Sequence, residues 1–207
     1  MKQLKTAIRT DEIGDASIID KIKELGGKVF LDLKFPDIPF TVANHCKAAT
    51  KKGIDMMTIH CCGGIEMMKK AAEATRATAE ELNIKKPILL GITVLTSVDL
   101  DVLNEELRIS GSIEEQVVHL AKLAKNAGLD GVVASPKETK LIKEACGPEF
   151  LVVTPGIRPK WSVADDQKRI TTPADAIANG SDFLVIGRAI TAQDDKIEAV
   201  RKIIEEI

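Results

Sequence analysis

Three ionisable residues fall within six positions of the run Val29-Phe30-Leu31-Asp32-Leu33-Lys34-Phe35-Pro36-Asp37-Ile38-Pro39-Phe40-Thr41. An ammonium held between two carboxylates keeps both its proton and its orientation. Beside a cavity, such a lysine suits general acid catalysis and the stabilisation of developing negative charge. The apolar residues up to Lys34 read as a strand. Strand alternation puts Val29, Leu31 and Leu33 on one face and Phe30, Asp32 and Lys34 on the other. Ionisable groups on an interior face are costly unless paired. A purely structural Asp32–Lys34 ion pair is the plain alternative. The second carboxylate at Asp37, just past the strand, favours chemistry.

The elements that position these residues follow from periodicity. Strands are expected at Leu4–Ile8, Lys28–Lys34, Asp55–His60, Ile88–Leu95, Gly131–Ser135, Phe150–Thr154 and Phe183–Gly187. Between them run amphipathic stretches. Ile18, Ile22 and Leu25 are expected to share a buried helical face, as are Ile113, Val117, Leu120 and Ala124. The last helix shows Ile197, Val200, Ile204 and Ile207 at the same spacing. Gly26-Gly27, Gly53, Gly128 and Gly180 stand where helices stop before strands, and Thr172-Pro173 supplies a cap and a first-turn proline. The unit recurs about every 30 residues without obvious self-similarity. Alternating strands and helices imply parallel pairing with right-handed crossovers. A glycine-rich dinucleotide fingerprint and a P-loop are both missing, which weighs against an open doubly wound sheet. A single (β/α) barrel domain over 1–207 is the expected architecture, with chemistry at the carboxyl ends of its strands.

Composition narrows the function. The chain has 207 residues, 44% apolar and 29% charged, with a formal charge of −2, so it has an ordinary globular balance. No basic excess points to nucleic acid, and aromatic content of 3% with no tyrosine offers little for base stacking. No apolar run reaches the roughly 18 residues of a membrane helix. The start, Met1-Lys2-Gln3-Leu4-Lys5, lacks the apolar stretch of a signal peptide. Cys46, Cys61, Cys62 and Cys146 show no paired metal-knuckle spacing and are expected to be reduced thiols of a cytoplasmic protein. His60 beside Cys61-Cys62 invites a metal reading, but more convergent ligands would be needed. The methionine pairs at 56–57 and 67–68 read as core, and His45 and His119 as surface or satisfied residues.

The segment resembles the signature of the orotidine 5′-phosphate decarboxylase family, Asp-x-Lys-x-x-Asp-Ile-Pro-x-Thr, through Asp32, Lys34, Asp37, Ile38, Pro39 and Thr41. Weaker resemblances follow in the family's order at Asp55–His60, Thr93–Ser97, Thr154–Arg158, Ala164–Arg169 and Ile186–Arg188. The resemblance implies a TIM (β/α)8 barrel that decarboxylates orotidine 5′-monophosphate to UMP in pyrimidine biosynthesis, with neither metal nor organic cofactor. Lys34 is then the general acid, with Asp32 and Asp37 as its charged partners. Asp37, Ile38 and Thr41 would serve the neighbouring subunit's site in a homodimer. Thr96 would meet the pyrimidine, and Thr93 ranks below it. Pro155, Gly156, Gly187 and Arg188 would hold the phosphate, with Gln167 reaching it from a loop that closes. Lys5 corresponds to a strand lysine of the family. Nothing here matches the strand and Asp that precede it there, so the barrel is expected to lack the usual first βα unit.

Two other functions compete. Sugar-phosphate decarboxylases and aldolase-like synthases of the same superfamily share an Asp-x-Lys-x-x-Asp strand and use Mg²⁺ to stabilise an enediolate. The Ile38-Pro39-x-Thr41 continuation and Asp165-Asp166-Gln167 weigh against them. The other is a nucleotide-phosphate binder without activity.

Overall fold

The computed structural model describes residues 6–8, 17–162 and 171–207, and it has a strand at each of the seven expected places. These are β1 (Thr6–Ile8), β2 (Val29–Phe35), β3 (Met56–His60), β4 (Ile88–Ile92), β5 (Gly131–Val133), β6 (Leu151–Thr154) and β7 (Phe183–Leu184). The helices are α1 (Ser17–Glu24), α2 (Pro39–Lys51), α3 (Gly64–Glu81), α4 (Ile113–Asn126), α5 (Thr139–Cys146), α6 (Pro173–Ala178), α7 (Arg188–Thr191) and α8 (Lys196–Glu205). All strands pair in parallel and in chain order, β1 through β7. No pairing of β7 with β1 is recorded among the described residues.

The two sheet faces are buried in different ways. Val29, Leu31, Met57, Ile59, Leu89, Val132 and Val152 join helix residues such as Val42, Met68, Leu120 and Ile142 in one large core. On the other face Phe30, Met56, Leu90 and Val153 pack with Val133, Leu151 and Phe183, and strand residues alone make up the buried set. A sheet face buried with no helix over it has to be covered by the same sheet curling round, as in a barrel interior. Met56, Met57, Met67 and Met68 are all core, as expected.

A repeat that the chain-wide reading missed appears at the amino end of the sheet. Gly-x-Asp precedes β3, β5 and β7 as Gly53-Ile54-Asp55, Gly128-Leu129-Asp130 and Gly180-Ser181-Asp182. Each glycine has positive φ (+65°, +85°, +98°) and ends the preceding turn, and each middle residue is buried. Each carboxylate then accepts an N–H at the start of the preceding strand, from its first or second residue: Asp55 from Val29 (2.8 Å), Asp130 from Leu89 (2.8 Å) and Asp182 from Val152 (2.7 Å). Lys86 and Lys143 donate to Asp130 and Asp182, which completes two of the three clamps. Asp182→Ala strands the buried Val152 N–H, so it is expected to cost about 1–3 kcal/mol. The denaturant midpoint should fall at constant slope. Asp20→Ala, at an exposed 3.8 Å pair with Lys52, is the control and should stay within about 0.5 kcal/mol. Equal losses in the two variants would remove the clamp from the account.

Helix faces correct the sequence reading in two places. α4 buries Val117, Leu120 and Ala124 as expected, behind a capping box of Ser112 and Glu115. Thr172 and Asp175 cap α6 in the same way. In α1, however, Ile19 is the buried residue, while Leu25 lies beyond the helix end and is 88% exposed. In α8 the buried residues are Ala199 and Ile203, while Ile197 and Ile204 are 70% and 58% exposed and Ile207 is also exposed. One residue is 100° of helix, and small Ala199 allows the close approach that an isoleucine would block. No described helix is long and apolar enough to cross a membrane. The four cysteines are free thiols, and three of them are buried.

Candidate active site

β2 does not run straight to its carboxyl end. Its register on β3 pairs Leu31 with Met57 and then Phe35 with Ile59, four steps on one strand against two on the other. The excess is absorbed across Asp32–Lys34, and Lys34 takes a left-handed backbone (φ +50°). For a non-glycine residue this strain is of order 1 kcal/mol or more and persists only where the surroundings hold it. Bulges of this kind re-aim side chains.

The re-aimed lysine is paired. Lys34 Nζ donates to Asp32 Oδ2 at 2.5 Å, with the two side chains partly exposed at 41% and 19%. The other oxygen, Asp32 Oδ1, accepts the Thr58 hydroxyl at 2.9 Å. Thr58 Oγ1 in turn accepts the Lys34 backbone N–H at 2.9 Å. Thr58 is fully buried in the middle of β3. Sequence reasoning passed over it, although alternation along Met56-Met57-Thr58-Ile59-His60 already put Thr58 on the Met56 face, the interior one.

His60 ends β3 beside this network. Its Nδ1 accepts the Cys62 N–H at 3.4 Å. Burial lowers its pKa below the ordinary histidine value, and the nearby Lys34 charge lowers it further. Both effects favour the neutral ring over the charged one. His60 lines a cavity of about 550 Å³ with apolar walls from Val94, Leu103, Leu120 and Leu123. Among the described residues no three His, Cys, Asp or Glu side chains converge as a metal set.

The remaining expected site residues fall into groups. Asp37, Ile38 and Thr41 form the elbow from β2 into α2, where Asp37 Oδ1 accepts the Ile38 N–H at 2.7 Å. The expected clamp of two carboxylates on one lysine is therefore half made within the described residues: Asp32 pairs with Lys34, and Asp37 turns to its own backbone. The elbow is tied down by Phe35, whose ring lies 4.7 Å from that of His45. Ile38 and Phe40 are 65% and 75% exposed. Thr96 is exposed in the loop after β4, whereas the buried Thr93 hydroxyl is spent on the Val133 carbonyl at 2.9 Å.

Pro155 and Gly156 follow β6, and Gly187 and Arg188 follow β7, its neighbour in the sheet. Ile157 bridges to Thr171, and Arg158 N–H donates to the Thr171 carbonyl, joining the two ends of the intervening segment. A Cβ built on Gly156 or Gly187 would meet no atom within 4 Å, so both backbones face open space. That openness lets an anion approach peptide N–H groups. Lys5 and Gln167 lie outside the described residues.

A parallel sheet with helices outside, an Asp–Lys pair at one strand's carboxyl end and open glycines after the last two strands make a TIM-like (β/α) fold with its polar groups where enzymes of that class carry their chemistry. Comparison with known proteins narrows the class. The family model described as "Orotidine 5′-phosphate decarboxylase / HUMPS family" matches residues 3–203, and the chain belongs to that family. It is 52% identical over 186 residues to the orotidine 5′-phosphate decarboxylase of Moorella thermoacetica, covering 90% of this chain and 74% of the relative. The corresponding protein of a Geobacter species is 50% identical over 206 residues, covering all of this chain and 82% of the relative. The crystal structure of orotidine 5′-phosphate decarboxylase from Lactobacillus acidophilus superposes with a TM-score of 0.85 at 40% identity, covering 98% of this chain and 85% of that one.

Proposed function

We propose that the chain decarboxylates orotidine 5′-monophosphate to UMP in pyrimidine biosynthesis, with Lys34 as the proton donor. The observation that carries this reading is the Asp32–Lys34 pair at the end of β2, set within a sequence that matches the family signature in full. The bond from the pyrimidine ring to its carboxylate breaks, carbon dioxide leaves, and the electron pair stays on the ring carbon. The ammonium of Lys34 faces that charge and then delivers its proton to the same carbon. The amine left behind is reprotonated from solvent. Asp32 holds Lys34 throughout and lies beside the departing carboxylate.

Phosphate binding falls to the open backbones of Gly156 and Gly187, to Pro155 and to Arg188, whose guanidinium suits a bidentate pair. Gln167 joins them from its loop, Lys5 faces the sugar and Thr96 the pyrimidine. Grip on this remote group is used to support the chemical step. Asp37, Ile38 and Thr41 act in the site of a second copy. Asp37 is not taken up by Lys34 of its own chain, and Ile38 and Phe40 present large apolar surface beside the elbow. Burying each side chain in a homodimer is worth about 1.5–3 kcal/mol. The seven strands correspond in this reading to the second through eighth of a (β/α)8 barrel.

A Mg²⁺-dependent sugar-phosphate reaction is the second reading, because the family description covers both groups. Relatives at 47–52% identity that carry the decarboxylase name favour the first. Purified protein given orotidine 5′-monophosphate in EDTA is expected to consume it, read as loss of substrate absorbance. No consumption in either EDTA or Mg²⁺ would overturn the reading. Binding of UMP without turnover would leave a nucleotide binder in its place.

A further inference from the structure

We infer that Thr58 is a positioning residue for the proton-donating lysine, acting through both its backbone and its carboxylate partner. The inference rests on the role proposed for Lys34. Parallel strands normally satisfy an N–H with a carbonyl of the neighbouring strand. Across the β2 bulge the ladder between Leu31–Met57 and Phe35–Ile59 is interrupted. The Lys34 N–H falls in that interval and donates to the Thr58 hydroxyl instead. The same oxygen carries a hydrogen that points to Asp32 Oδ1.

A hydroxyl is the smallest side chain that accepts from one group while donating to another. A carbonyl could do only the first and an ammonium only the second. Thr58 therefore stabilises two otherwise unfavourable features together. One is the left-handed backbone of Lys34, which sets where its side chain departs from the strand. The other is the rotation of the Asp32 carboxylate, which sets where Oδ2 meets Nζ. Thr58 is β-branched, wholly buried and centred in β3, so its own rotamer is fixed by packing. The hydroxyl is buried, and among the described residues its hydrogen bonds go to these two residues.

The test compares Thr58→Val, which keeps the shape and removes the hydroxyl, with Thr58→Ser, which keeps the hydroxyl. Thr58→Val is expected to lower kcat for orotidine 5′-monophosphate by about 10²-fold, the scale of a displacement of about 1 Å in a reacting group. KM should change by less than about fivefold, because the phosphate contacts lie on other strands. Thr58→Ser should recover kcat to within about fivefold of the parent. Thr58→Val with parental kcat would overturn the inference. So would Thr58→Ser losing as much as Thr58→Val, since the methyl group would then be the active part. If Thr58→Val does not fold, Thr58→Ala replaces it, differing from Thr58→Ser by the hydroxyl alone, with the same outcomes. If the parent protein shows no turnover, the functional reading fails separately. The positioning role is then read from hydrogen exchange of the Lys34 amide, which should be faster in Thr58→Val than in Thr58→Ser. Equal exchange rates would overturn the role without reference to any substrate.

Discussion

Lys34→Ala is expected to leave a folded protein whose turnover of orotidine 5′-monophosphate is lower by roughly 10⁵-fold. General acid catalysis contributes about 10²–10⁴ and a preorganised charge facing a developing anion about 10²–10³, and here one ammonium supplies both. The two parts are not strictly additive, since they act at one atom and in sequence. Folding should survive, because the lysine side chain is 41% exposed and Asp32 keeps its bond from Thr58. Lys34→Arg should not restore the rate. A guanidinium carries the charge but does not give up its proton, and its planar fork does not fit a point contact. The checks are single-turnover rates with substrate and a binding titration with UMP. UMP affinity should move by less than about tenfold, because its phosphate is held elsewhere. A Lys34→Ala protein within 100-fold of the parent rate would remove Lys34 from the chemistry altogether.

Mixing two inactive proteins gives the second large effect. Lys34→Ala and Asp37→Ala homodimers should each be inactive, and exchanging their subunits should restore activity to about a quarter of the parent sites. In the mixed dimer one site loses both residues, while the other receives Lys34 from one chain and Asp37 from its partner. Half of the dimers are mixed, and half of their sites are whole. The expectation rests on the homodimer proposed above; within one chain Asp37 accepts the Ile38 N–H, and Asp32 is the partner of Lys34 among the described residues. Verified subunit exchange with no recovered activity would show that Asp37 serves its own chain or none.

Much of this protein was legible in its residues because local rules and tertiary demands agree. Seven short β-branched or apolar runs became seven strands, and Gly53, Gly128 and Gly180 ended the helices before them. The alternation that put Val29, Leu31 and Leu33 against the helices and Phe30 inside held as far as the bulge. At the bulge Lys34 leaves the extended region, where a period of two no longer applies, and it still meets Asp32, whose other oxygen is held by the interior Thr58. The Gly-x-Asp repeat was present in the sequence, but three residues seldom stand out until their shared hydrogen bond to the preceding strand is seen.

Periodicity also misjudged α8, because a helix with apolar residues on more than one face does not say which face meets the sheet. The residue types and spacing of Asp32, Lys34 and Asp37 determined the chemistry available and the family it belongs to, since charge and proton affinity are properties of single side chains. Only the tertiary structure decided that Asp32 takes the lysine among the described residues, that Asp37 turns to its own backbone, and that a buried threonine from the next strand holds the pair together. The threonine's hold depends on a distance between strands more than 20 residues apart in sequence, and no local propensity encodes it.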